Sequence, residues 1–142
     1  MAVEAAAASN VPKASSTRLL MTLSAALNAA VGVAASFVPH EILNYVGVSA
    51  TPFTVSVIQL AGALYLGFAL LNWMARGTLL GGIYGRPIGI ANVAHFAMAA
   101  IMLVKLVLGG QREAVLLVGT LIYVITAAWF VLVVFGPGPT KT

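Results

Sequence analysis

The chain contains no cysteine, which excludes disulfides, thiolate metal sites and cysteine nucleophiles. Charge is nearly as scarce. Only 7% of the 142 residues are charged, against roughly 25% in a soluble domain. The acidic residues Glu4, Glu41 and Glu113 all lie outside the long apolar runs, so no membrane-embedded carboxylate pair is available for acid–base work or proton coupling. Gly-x-Ser-x-Gly and His-Glu-x-x-His are missing as well. The Gly-rich stretch GTLLGGIYGR has no GK[ST] after it and no strand before it, so it is no phosphate loop. No repeat of fixed period is present. An enzyme acting alone is not expected, and neither a catalytic nor a metal site is assigned.

What is present is apolar. Hydrophobic residues make up 61% of the chain and the mean hydropathy is +1.06, more than one soluble core of this size can hide. Lipid is therefore the expected solvent. The formal charge of +4 sits in Lys and Arg at the ends of apolar runs, which is a topology signal rather than a nucleic-acid footprint.

Taken in order, residues 1–17 are Ala- and Ser-rich, without hydrophobic period. They read as a flexible tail, with Ser15, Ser16 or Thr17 capping the first helix. A signal peptide is the alternative, but the uncharged run Leu19–Val38 exceeds the roughly 7–15 residues of a signal core. Four spans are expected, at about residues 18–38, 53–76, 87–109 and 113–135. Together they form one transmembrane domain, residues 18–136, followed by a short tail, 137–142.

Pro39 stops the first span, and PHEILNYVGVSATP lies along the interface. Thr51 and Pro52 read as N-cap and first residue of the second span, with Trp73 in an aromatic belt near Arg76-Gly77. The glycines of GTLLGGIYGR make a bent hairpin with Tyr84 at the interface. Gly109-Gly110 closes the third span, and Glu113 suits the positive end of the fourth helix. Lys13, Arg18, Arg76, Arg86 and Lys141 fall on one side, opposite Arg112, which places both termini in the cytoplasm.

In the first span Ser24, Asn28, Gly32 and Ser36 recur every four residues beside Ala25, Ala29 and Ala35. This is a helix-packing face, the competing reading being that Asn28 lines a substrate path. Ala63 and Gly67 are a second close pair. By helix rise, Asn28, Tyr65, Asn72, Asn92, His95, Tyr123 and Thr126 lie near the bilayer centre or toward its cytoplasmic side, and are the expected buried polar cluster. Asn92, His95 and Ala99, flanked by Ala91 and Met98, should face the bundle interior.

His95 admits three readings. It is a neutral imidazole that fixes register by a hydrogen bond, worth about 1 kcal/mol; it is the axial ligand of a haem or chlorophyll; or, with Asn28, Asn72 and Asn92, it lines a proton or solute path. His40 is about 20 Å away along the helix, so the chain offers a single axial ligand. Lys105 reads as a snorkelling anchor.

The segments ILNYVGV, GALYLGFALLNWMARG and YGRPIGIANVAHF resemble small bacterial four-helix membrane proteins of the DoxX-like and related families. The closest likeness lies in Tyr65-Leu66-Gly67-Phe68, Asn72 to Arg76, and Arg86-Pro87 with Asn92 and His95. The resemblance implies an accessory subunit of a quinone-linked oxidoreductase and carries no catalytic motif. The expected protein is thus an all-α, integral membrane, antiparallel four-helix bundle, multi-pass in the cell inner membrane. Its expected role is that of a non-catalytic accessory or scaffold subunit of an electron-transfer or photosynthetic complex. Lipid and other membrane subunits, or copies of itself, are its expected partners. A haem- or chlorophyll-binding subunit and a small-solute channel or carrier are the alternatives.

Overall fold

The computed structural model describes residues 2–78, 80, 83 and 85–136, with side chains from Ser15 onward. Helices dominate, and there is no strand among the described residues. In order they are α1 (Ala2–Phe37), α2 (Pro39–Tyr45), α3 (Pro52–Ala75), α4 (Arg86–Leu108) and α5 (Ala114–Phe135). Ser15–Phe37 of α1 and the whole of α3, α4 and α5 are long and apolar enough to cross a membrane. The all-α fold with four candidate spans is as expected. Tyr84 and the tail 137–142 lie outside the described residues.

One boundary differs from expectation. The segment read as a flexible tail is helical from Ala2, so Ser15, Ser16 and Thr17 lie within α1 and not at its cap. Alanine dominates AVEAAAAS and is the strongest helix former. Pro12 forfeits one backbone hydrogen bond, yet it does not end the helix.

The other boundaries follow local chemistry. Pro39 closes α1 and is the first residue of α2. Beyond Tyr45, Gly47 takes φ +70°, so that its N–H reaches Asn44 O (3.1 Å) while Val48 N–H reaches Leu43 O (2.9 Å). That pair of bonds is a Schellman cap, which needs a left-handed residue. Gly110, at φ +100°, ends α4 the same way, with Gly110 N–H on Val107 O (3.1 Å) and Gln111 N–H on Leu106 O (3.2 Å). At the start of α3 the Thr51 hydroxyl accepts from Thr54 N (3.2 Å) and the Thr54 hydroxyl accepts from Thr51 N (2.9 Å), a reciprocal capping box before Pro52.

The chain divides into two compact units. The first, Met21–Arg76, contains most of α1 together with α2 and α3. Ser24 bonds Asn72 near one end of this pair and Ser36 bonds Gln59 near the other, so α1 and α3 run antiparallel. They approach most closely at Gly32 and Gly62. A Cβ on Gly32 would lie 2.9 Å from Leu66 N, and one on Gly62 would lie 2.8 Å from Ser36 N. The stripe Ser24, Asn28, Gly32, Ser36 is therefore the face that α3 packs against, as its four-residue spacing suggested. Of the small residues on α3, the tight contact uses Gly62, whereas Ala63 and Gly67 are exposed and nothing lies within 4 Å of a Cβ built on Gly67.

In the second unit α4 and α5 form an antiparallel pair. Phe96 stacks on Phe130 with ring centroids 5.4 Å apart and meets Tyr123 at 5.5 Å, while Gly89 abuts Val134. Phe96 and Phe130 are fully buried. They are the central packing element of this unit.

Candidate functional site

The seven residues expected as a polar cluster divide between the two units. Asn28, Tyr65 and Asn72 belong to the first; Asn92, His95, Tyr123 and Thr126 belong to the second.

In the first unit Asn72 bonds Ser24, a residue outside the expected set. The Asn72 amide donates to Ser24 Oγ (3.1 Å), and Ser24 Oγ–H donates onward to Met21 O (3.0 Å). All of this is buried. Ser24 was visible in the sequence as part of the four-residue stripe, and its depth opposite Asn72 follows from the antiparallel register. One helical turn away, Asn28 is also fully buried, and neither Nδ2 nor Oδ1 has a hydrogen-bond partner among the described residues. Tyr65 is half-buried on α3. At the far end of the same interface Gln59 Nε2 donates to Ser36 O (3.3 Å).

A double-mutant cycle on Ser24→Ala and Asn72→Leu should return a coupling energy of about 0.6–1.7 kcal/mol, the range for side-chain hydrogen bonds between membrane helices. Reversible unfolding in mixed micelles measures it. A coupling of zero would mean that the bond contributes nothing to the pairing of α1 with α3.

In the second unit two polar groups are satisfied within their own helices. Asn92 donates to Ile88 O (3.0 Å) and Thr126 to Ile122 O (2.7 Å). Tyr123 is buried against Phe96. His95 is half-buried and sets its ring edge-on to Phe96, 5.0 Å between centroids. The inward face of α4 therefore differs from the expected one. Gly89, Asn92, Phe96 and Ala100 are buried, whereas His95, Ala91 and Ala99 are half-buried and Met98 is exposed. The phenyl ring of Phe96 has two aromatic partners on α5, and that contact turns the helix so that His95 lies on its flank.

No protein-family model matches the chain, and no similar curated protein or solved structure was found. The chemistry of the site rests on its own residues. Among the described residues no group of three or more His, Asp or Glu side chains gathers to hold a metal ion. His95 is the one imidazole within a span, and a haem or chlorophyll would find in it a single axial ligand on the flank of α4. His40 is exposed on α2.

The helix ends carry the remaining polar chemistry. The Arg76 guanidinium lies over the Trp73 ring, 4.0 Å from its centroid, and donates to the Trp73 carbonyl. This pins a cation and an indole together at one end of α3, a combination suited to a membrane–water interface. Lys105 is exposed in the last turn of α4, where its ammonium can reach headgroups.

Proposed function

We propose that this protein is a multi-pass membrane subunit with a non-catalytic, accessory or scaffolding role in a larger complex. One observation carries the reading. Ser24, Gln59, Asn72, Asn92 and Thr126 are engaged in helix pairing or in bonds to their own helix's backbone, while the outward faces present large apolar residues. Leu60, Leu64 and Met74 on α3, Met98 and Met102 on α4, and Leu132 on α5 are all largely exposed. Lipid covers such surface, and so does another membrane subunit.

On α3 the exposed Ala63 and Gly67 lie among those residues, and outward small residues allow a second helix to approach closely. Methionine adds a surface that adapts to different partners. The basic residues Arg18, Arg76 and Arg86 favour a cytoplasmic placement of both termini, in a bacterial inner membrane. The resemblance to DoxX-like proteins favours a redox complex as the assembly.

Copurification tests this. Extraction in a mild detergent or in lipid nanodiscs, followed by native mass spectrometry, should return the chain in stoichiometric association with at least one other membrane protein. Gly67→Leu should weaken that association while leaving the chain folded. A monomer carrying only lipid would overturn the proposal.

A further inference from the structure

The Asn28 carboxamide sits at the middle of the candidate membrane span of α1, in a stripe of small residues, wholly buried and with no partner for either of its polar atoms among the described residues. In hydrocarbon this is an unfavourable state, since lipid tails offer no hydrogen-bond partner. Asn92 avoids that state in its own span by donating to the carbonyl four residues back at 3.0 Å. Asn72 avoids it by reaching Ser24. Asn28 does neither.

The surroundings limit what could satisfy it. The antiparallel register that sets Ser24 against Asn72 and Gly32 against Leu66 brings Asn28 level with Ala69. Ala25, Gly32 and Ala69 are all buried, and the helices are clamped together one turn away at Gly32 and Gly62. The geometry points to Asn28 as a hydrogen-bonding site for one small neutral molecule that both donates and accepts, water being the smallest member of that class. The amide offers two N–H donors and a carbonyl acceptor. A charged ligand would be left without a countercharge, because no ionisable side chain lies on α1 or α3 between Arg18 and Arg76 apart from the half-buried Tyr65. This inference does not depend on the proposed scaffold role.

The test uses the full chain in lipid bilayers with 15N-labelled asparagine side chains, and water itself as the probe. Water-edited solid-state NMR should show polarisation passing from water to the Asn28 side-chain amide, and the signal should vanish in Asn28→Leu while that of Asn72 remains. Absence of transfer at Asn28 in the wild-type protein would overturn the assignment. Thermal unfolding gives an independent reading. Asn28→Leu should leave the melting temperature unchanged or lower it, because a hydrated amide is already satisfied. A rise of several degrees would mean that the amide is bare, and would equally overturn the site.

Discussion

Gly62→Val should break the pairing of α1 with α3, with the largest loss of stability of any single substitution in the first unit. A Cβ at this position meets the Ser36 hydroxyl at 2.5 Å and, even if that side chain turns away, backbone on two sides, 2.8 Å from Ser36 N and 3.0 Å from Gly32 O. Backbone atoms in a helix do not move individually, so the two helices would have to separate. Separation also pulls apart the Ser24–Asn72 and Gln59–Ser36 bonds along the same seam. Overpacking alone costs about 1–3 kcal/mol, and the lost hydrogen bonds add about 0.6 kcal/mol each.

Gly62→Ala sets two effects against each other. Alanine favours the helix by about 1 kcal/mol, but its methyl occupies the forbidden position. The clash should prevail, with a net loss of up to about 2 kcal/mol. Gly67→Ala is the control, because nothing lies within 4 Å of its added methyl, and it should gain up to about 1 kcal/mol. Unfolding in mixed micelles measures all three. Equal behaviour of Gly62→Ala and Gly67→Ala would contradict the close approach of the two helices.

Phe96→Ala should be the most damaging substitution in the second unit, and clearly worse than His95→Ala. Phe96 is fully buried between Tyr123 and Phe130, whereas His95 is only half-buried. In water, truncating such a ring costs about 3–5 kcal/mol, of which part is hydrophobic transfer and part is the cavity. Lipid is as apolar as the protein interior, so the transfer part largely drops out within a bilayer. The cavity and the lost ring stacking remain, and a loss of about 2 kcal/mol is expected. Met98→Ala, on the exposed side of α4, should change stability by less than about 0.5 kcal/mol. A larger loss at His95 than at Phe96 would place the imidazole, and not the phenyl ring, at the centre of the packing.

Much of the first unit was legible along the chain. The recurrence of Ser24, Asn28, Gly32 and Ser36 is a packing face because small side chains let backbones meet, and α3 does pack there. The partner stripe on α3 was harder to read. Gly62, Ala63 and Gly67 are all small, and one residue of offset on a helix is a rotation of 100°. Only the contact with Ser36 distinguishes Gly62 from its neighbours. The polar set shows the same division: Asn28, Asn72, Asn92 and Tyr123 are buried, whereas Tyr65, His95 and Thr126 are half-buried, and the bond from Asn72 goes to a serine outside that set.

The sequence by itself determined the all-helical class, the number of helices long and apolar enough to cross a membrane, and most of the punctuation. Those properties depend on composition, on proline and glycine geometry and on hydroxyl caps, all of which act over a few neighbouring residues. Tertiary structure decided which way each helix faces, hence the inward place of Phe96, the flank position of His95 and the close contact at Gly62. In a soluble helix the polar face marks the outside, but a membrane helix is apolar on every side, so its sequence carries little rotational information and packing must supply it.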